Sequence, residues 1–230
     1  MDFINVVKRQ SQSARFLIRW LLGLKIVAIL IIVFAKLAED VWLQEGFSWD
    51  APIILAIHSL GNPTLDTFMR FVTQTGETGA IAIVILLAGW FVWKHRRVES
   101  LSVLIAFGGA VAINSLLKLL FARPRPNLFP PLVLESGFSF PSGHVTASVA
   151  VYGFLAIVLW QNKYYGWALL SSAWIFMVAI SRIYLGVHYP SDTIAAIAFT
   201  SLWLIVVFYV QRGYLNSMKQ PSSQLHADFI

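Results

Sequence analysis

The sequence predicts an all-α, polytopic membrane protein with about six transmembrane helices and short surface helices on its outer side. Of the 230 residues, 58% are hydrophobic and only 12% are charged, whereas a soluble domain is nearer half apolar and a quarter charged. The mean hydropathy is +0.71. Several apolar stretches have a length of about 20 residues, which is enough to cross a bilayer as a helix. A chain of this length is expected to form one domain, here a single membrane-embedded unit over residues 1–230.

Six segments are candidate spans, and the second and fourth are short. They cover residues 16–37, 79–93, 101–121, 145–160, 167–183 and 191–210.

The segment 50–76, between the first two candidate spans, is too polar to cross. It is broken at Asn62 and Pro63, and the apolar residues after the break recur at the spacing of one helix face. They are Leu65, Phe68, Met69 and Val72. On the opposite face Asp66 and Arg70 are spaced to form a pair. The pattern predicts two short surface helices, and it is equally compatible with a packed loop and with one wall of a lipid access cleft.

Basic residues near the span ends predict the orientation of the chain. If six spans alternate, the basic clusters fall on one side, which is expected to be cytoplasmic. The clusters are Lys8, Arg9, Arg15 and Arg19; Lys94, Arg96 and Arg97; Lys163; and Arg212 and Lys219. The protein is therefore expected in the cell (plasma) membrane, with flexible cytoplasmic ends at 1–15 and 212–230.

Charge and cysteine content exclude several functions. The net charge of +6 is explained by the span-end clusters, so we expect no nucleic-acid partner. The chain has no cysteine, which removes thiolate nucleophiles and zinc–thiolate sites. Oligomeric state is not set by any pattern in the sequence.

Three polar clusters lie at the predicted outer ends of the later spans, where lipid disfavours charge. The first contains Lys118, Arg123 and Arg125; the second Ser142, Gly143 and His144; the third Ser181, Arg182, His188 and Asp192. Taken singly, each is compatible with a snorkelling side chain, a helix cap or a polar pair. Together they supply two histidines, one carboxylate and several cations to one face, which indicates a functional site.

These residue types suit phosphoryl transfer. The transferred phosphate spreads negative charge over its oxygens and needs fixed donors around it. Arg125 and Arg182 offer forked donors and Lys118 offers a point charge. Ser142 and Gly143 open a helix whose free amides favour an anion. Because no aspartate cluster is present to hold magnesium, the sequence predicts neither a metal nor another cofactor.

The two histidines are predicted to have different roles. Asp192 follows His188 by one helical turn, so its carboxylate can bind one ring nitrogen and orient the other as a nucleophile. His144 has no such neighbour in the sequence and is placed to protonate the leaving oxygen as a general acid.

The clusters resemble the motifs of the type 2 phosphatidic acid phosphatase superfamily, in its bacterial membrane branch. Those motifs are a lysine, six residues and Arg-Pro; Pro-Ser-Gly-His; and Ser-Arg, five residues, His, three residues, Asp. Here they are formed by Lys118, Arg125 and Pro126; by Pro141, Ser142, Gly143 and His144; and by Ser181, Arg182, His188 and Asp192.

The resemblance covers residues 53–210 and implies an all-helical core and hydrolysis without metal. It implies His188 as nucleophile, Asp192 as its partner and His144 as acid. Its phosphate contacts fall on Lys118, Arg125, Ser142, Gly143 and Arg182. Of the two neighbouring arginines only Arg125 has the family spacing, so Arg123 is expected to point elsewhere.

The leading hypothesis is thus a membrane lipid phosphatase acting through a phosphohistidine. Its candidate substrates are phosphatidate, undecaprenyl pyrophosphate and phosphatidylglycerol phosphate, among which the sequence does not choose. A phosphotransferase of the same family would need a second lipid as acceptor. An anion transporter would use the arginines but would not need the His188–Asp192 pair.

Overall fold

The structure, a computed structural model, describes residues 3–219, and every regular element within that range is helical. A π-helical segment, Val149–Gly153, joins α6 to α7, so the two form one helix. The helices are α1 Phe3–Trp42, α2 Asp50–His58, α3 Pro63–Thr75, α4 Thr78–Trp93, α5 Arg97–Phe121, α6 Gly143–Ser148, α7 Phe154–Gln161, α8 Tyr165–Tyr184 and α9 Pro190–Lys219.

Six helical segments in this range are long and apolar enough to cross a membrane, which confirms the predicted number and the all-α class. The second segment is longer than predicted. It runs over Pro63–Trp93 and takes in α3, because only Gly76 and Glu77 separate α3 from α4. The amphipathic α3 lowers the local hydropathy, and the sequence pattern therefore began the span too late.

The helix α3 lies against α8. The apolar face predicted for it is seen in Met69 and Val72, both of which are buried. The predicted pair of Asp66 with Arg70 is not formed. Instead, the Asp66 carboxylate accepts a hydrogen bond from the Tyr184 hydroxyl at the end of α8.

The two ends of the chain were predicted to be flexible, at 1–15 and 212–230. In the structure α1 already begins at Phe3 and α9 continues to Lys219. Residues 1, 2 and 220–230 lie outside the described part of the chain, so the prediction for the C-terminal tail falls outside it as well.

The apolar core is shared by the five helices α4, α5, α7, α8 and α9. Each contributes at least one buried side chain to a single cluster, including Phe91, Val103, Phe154, Ile175 and Phe199. Helix α1 packs mainly on α9 from the side, through Leu37 and Val41, next to Ala195. The helix α6–α7 is the most buried of the six spans and forms the centre of the bundle.

Four helix ends meet on one side of this bundle: the C-termini of α5 and α8 and the N-termini of α6 and α9. Helix α5 stops at Ala122, whose φ of 43° is left-handed. The irregular loop 122–142 then crosses this side. It is fixed to the α8–α9 turn by a hydrogen bond from Leu132 N to Leu185 O of 3.1 Å. Its Phe129 ring lies over Gly186, where a Cβ would come within 2.5 Å.

Helices α5 and α9 approach each other closely at Gly109. A Cβ on Gly109 would overlap the Trp203 indole, whose Nε1 also donates to Ala106 O at 3.0 Å. Small residues permit this kind of close approach between helices in membranes.

The substitution Gly109→Ala should therefore destabilise the protein by about 1–3 kcal/mol, because the indole must move out of a packed interface. Gly108→Ala is the matched control, since nothing lies within 4 Å of its Cβ position. Thermal unfolding of the purified protein in detergent would measure both variants. Equal unfolding temperatures for the two would contradict the packing argument.

Candidate active site

The structure brings the eight predicted site residues together where the four helix ends meet. They come from α5, from the loop 122–142, from the start of α6, from the end of α8, from the α8–α9 turn and from the start of α9. They are Lys118, Arg125, Ser142, Gly143, His144, Arg182, His188 and Asp192. This placement follows from the topology, because consecutive spans alternate in direction and the three motifs occupy ends on the same side.

The pair of His188 and Asp192 lies at the buried floor of this site. Asp192 is in the first turn of α9, and its Oδ2 lies 3.3 Å from His188 Nδ1. The same oxygen accepts the Tyr189 backbone N–H at 2.9 Å and the Ser139 hydroxyl. A carboxylate on Nδ1 fixes the ring tautomer, so the lone pair of His188 is on Nε2.

His188 is held as a neutral base. Burial lowers the pKa of His188 to about 4, with the Arg182 and Arg125 charges acting in the same direction and the Asp192 hydrogen bond opposing them. At neutral pH the ring therefore carries no proton on Nε2. That nitrogen lies 3.2 Å from Nη1 of Arg125, so its lone pair accepts a hydrogen bond from a cation.

Arg123 points away from Arg125, as predicted, but it points into the site. Its Nη1 lies 2.5 Å from Asp192 Oδ1, and its Nη2 lies 3.0 Å from Oδ2 of Asp50 on α2. The Asp50 carboxylate is itself buried and accepts the backbone N–H and the hydroxyl of Ser191. Arg123 thus links two buried carboxylates and holds the partner of His188.

The two arginines predicted to bind phosphate are anchored differently. Arg125 donates to three backbone carbonyls, those of Ser136, Gly137 and Val187, at 2.9 to 3.1 Å. Arg182 is fully buried and donates to the Thr73 hydroxyl at 2.6 Å. Both guanidinium groups are therefore fixed in position before any ligand binds.

A loop carboxylate, Glu135, lies between these cations. It forms an ion pair with Arg182, and its Oε2 lies 3.7 Å from Nη2 of Arg125. Its Oε1 is 3.8 Å from Nε2 of His144, and Oε2 of Glu77 is 3.2 Å from the same nitrogen. The expectation that His144 lacks a carboxylate partner holds only along the sequence, because two acids approach it in the fold.

The start of α6 is positioned by Asn114 of α5. The Asn114 amide donates to Pro141 O at 3.2 Å and to Thr146 Oγ1 at 3.0 Å. A Cβ on Gly143 would lie 3.5 Å from Asn114 Oδ1 and 3.8 Å from Cε of Lys118, so the glycine lets these side chains approach its backbone closely. Lys118 itself donates to Phe138 O.

Sequence reasoning missed four acidic or basic residues of this site: Asp50, Glu77, Arg123 and Glu135. Asp50, Glu77 and Arg123 make their contacts across large sequence separations, up to 141 residues for Asp50 and Ser191, and Glu135 reaches Arg182 across 47 residues. The only local signal was the charge of Arg123 within the first cluster.

Comparison with known proteins identifies the family. The PAP2 superfamily profile matches residues 99–214. Phosphatidylglycerophosphatase B of Bacillus subtilis is 31% identical over 198 residues, which cover 83% of this chain and 95% of that protein. The chain belongs to the PAP2 superfamily. The family predicted from the three motifs is thereby confirmed.

Other PAP2 relatives agree in fold and in enzyme class. An undecaprenyl-diphosphatase of Bacillus subtilis is 30% identical over 151 residues, covering 63% of this chain and 75% of that one. The crystal structure of a transmembrane PAP2 type phosphatidylglycerolphosphate phosphatase from Bacillus subtilis superposes with a TM-score of 0.70 at 30% identity, covering 84% of this chain and 98% of that one. These relatives are lipid phosphatases, which confirms the predicted class.

The geometry around Asp192 generates a prediction for Arg123 in this PAP2 site. Arg123→Lys should lower kcat for lipid phosphate about tenfold or more with little change in KM, because lysine lacks the planar fork of donors that reaches both carboxylates and loses charge-assisted hydrogen bonds. Steady-state kinetics in detergent would measure this, with Arg70→Lys on the exposed side of α3 as control. An effect confined to KM would place Arg123 on the phosphate instead.

Proposed function

We propose that this PAP2 protein hydrolyses a phosphomonoester or pyrophosphate on a membrane lipid, without metal, through a phosphohistidine at His188. The observation that carries the proposal is the buried His188–Asp192 pair, with the free ring nitrogen beside Arg125. Phosphatidate, undecaprenyl pyrophosphate and phosphatidylglycerol phosphate remain the candidate substrates, and the names of the relatives include two of these substrate types.

The reaction proceeds in two displacements. In the first, His188 Nε2 attacks phosphorus while the bond to the lipid oxygen breaks, and His144 gives that oxygen a proton. The phosphorylated ring keeps its Nδ1 proton toward Asp192, whose charge stabilises the cationic ring. In the second, His144 takes a proton from water, the water oxygen attacks phosphorus, and the P–N bond breaks to return neutral His188.

Protein cations take the place that metal ions have in other phosphatases. Lys118, Arg125 and Arg182 supply positive charge around the site, and arginine forks match phosphate oxygens. Across residues 3–219, no three His, Cys, Asp or Glu side chains are grouped as metal ligands. Ser142 and Gly143 are assigned as further phosphate contacts at the start of α6.

We place the site at the outer face of the plasma membrane. The argument is the distribution of basic residues, which collect at the ends of the spans opposite to the site, for example at Lys94, Arg96 and Arg97 between α4 and α5. Both termini are then cytoplasmic, and the substrate is a lipid whose headgroup lies in the outer leaflet.

The two histidines should respond differently to the leaving group. His188→Ala should form no phosphoenzyme from either phosphatidate or an activated aryl phosphate, with EDTA present throughout. His144→Ala should slow phosphoenzyme formation from phosphatidate by about 10²–10⁴-fold but much less from the aryl ester, whose oxygen leaves without a proton. Rapid-quench measurement of the acid-labile phosphoryl label isolates this first step.

Two results would contradict these assignments. Equal losses for His144→Ala on both substrates would make His144 a phosphate-binding group and not an acid. Phosphoryl label retained by His188→Ala would assign the nucleophile to another residue. Separately, the metal-free proposal would be wrong if the wild-type protein lost its activity in EDTA and recovered it in magnesium.

The orientation can be tested directly, because the chain has no cysteine of its own. A cysteine placed at the exposed Asn127, in the loop 122–142, should react with an impermeant maleimide in intact cells, whereas one at Lys94 should react only after the inner face is exposed. The reverse pattern would place the site in the cytoplasm.

A further inference from the structure

Glu135 places a carboxylate among the groups assigned to the substrate phosphate. It forms an ion pair with Arg182, and it approaches Arg125 Nη2 to 3.7 Å and His144 Nε2 to 3.8 Å. Arg182 and Arg125 are two of the proposed phosphate-binding cations, and His144 is the proposed acid. The mechanism proposed above gives Glu135 no part in either displacement, so its position needs a separate explanation.

The carboxylate is negatively charged at neutral pH. Burial alone would raise the pKa of Glu135, but the Arg182 charge and hydrogen bond outweigh burial and lower it. An anion therefore already occupies the space between the two arginines that are assigned to the phosphate.

The two oxygens of the Glu135 carboxylate leave some of the hydrogen-bond donors in the site without an acceptor. The Nε of Arg182 and the Oγ of Ser142 are both buried and have no acceptor among the described residues. Both residues are themselves inaccessible to solvent. Buried donors are costly without a partner, and a phosphate group with three terminal oxygens can reach more of them than a carboxylate does.

Glu135 can leave this position without disturbing the site. It lies in the irregular loop 122–142, next to Leu134, which is 97% exposed, and its own side chain is 23% exposed. The backbone that follows is held by Arg125, which donates to the carbonyls of Ser136 and Gly137. Rotation of the Glu135 side chain toward solvent therefore leaves Arg125 anchored.

We propose that Glu135 is an internal competitor for the phosphate subsite, which holds the two arginines in the free enzyme and is displaced by the phosphate of the substrate. The inference rests on the proposed function and adds to it a threshold of affinity that a bound anion must exceed. Every anion must pay the same displacement cost, so Glu135 lowers the affinity of all phosphates by one common factor.

Because the affinity of every phosphate falls by this factor, the abundant phosphodiester lipids of the bilayer are kept out of the site. A phosphodiester headgroup brings one negative charge and two terminal oxygens, which is no more than the carboxylate that it would replace. A phosphomonoester dianion brings an additional charge and an additional oxygen. With Glu135 in place the monoester still binds, while the diester falls below useful affinity even at bilayer concentrations.

The test is the substitution Glu135→Gln, which removes the charge and keeps the shape, with Glu135→Ala as a second variant. Inorganic phosphate binding to the full-length protein in detergent, measured by calorimetry without lipid substrate, should tighten about tenfold or more, the size expected for removing a charge-assisted hydrogen bond. Glu45→Gln removes an exposed acidic residue elsewhere and should leave phosphate binding unchanged.

The same variants should gain inhibition by a short-chain phosphodiester, dihexanoyl phosphatidylglycerol, by the same factor as phosphate. Unchanged or weaker phosphate binding in both variants would overturn the inference, since a carboxylate that only braces the arginines would weaken binding when removed. A fall in kcat with unchanged affinity would also overturn it, by making Glu135 a partner of His144.

One further variant separates this inference from the function on which it rests. Arg125→Lys should weaken phosphate binding in the wild-type and the Glu135→Gln background alike. If neither the wild-type protein nor Glu135→Gln binds phosphate, the proposed function fails together with the inference. If the wild type binds phosphate and Arg125→Lys weakens it, but Glu135→Gln has no effect, only the role of Glu135 is overturned.

Discussion

The buried carboxylate of Asp192 is the constraint on which the rest of the site depends. It accepts hydrogen bonds from the Ser139 hydroxyl, the Tyr189 backbone and the His188 ring, and it forms an ion pair with Arg123. A charge removed from water is tolerated only if it is paired and hydrogen-bonded. The need to satisfy this one group therefore fixes the loop 122–142, the α8–α9 turn and the start of α9 against each other.

The positive charges of the site are balanced in a similar way. Arg123 lies between Asp50 and Asp192, and Arg182 is paired with Glu135. A group of unpaired cations in a bundle interior would repel one another strongly, because the local dielectric constant is low. The acids thus permit the cations to be preassembled, so the donors proposed to bind phosphate need little rearrangement.

The sequence was sufficient for features that depend on local patterns. Hydropathy marked the number of spans, and the spacing of four residues predicted the contact of Asp192 with His188, which the structure has, although His188 lies in the turn before α9 and not in a helix. Contacts between distant segments could not be predicted from the sequence. Asp50 is 73 residues from Arg123, and Glu77 is 67 residues from His144. No periodicity or spacing rule connects positions so far apart, and without the fold their charges resemble ordinary loop residues.

Helices α2 and α3 and the α3–α4 turn supply acid and hydroxyl groups to the site. Their position affects how such enzymes can diverge. Asp50, Thr73 and Glu77 all precede the segment 99–214 that defines the superfamily, yet they contact Arg123, Arg182 and His144, respectively. Substitutions in this N-terminal third can alter the electrostatics around an unchanged set of motifs. New substrate preferences can therefore arise in the part of the chain that precedes the profile match, while the three motifs stay as they are.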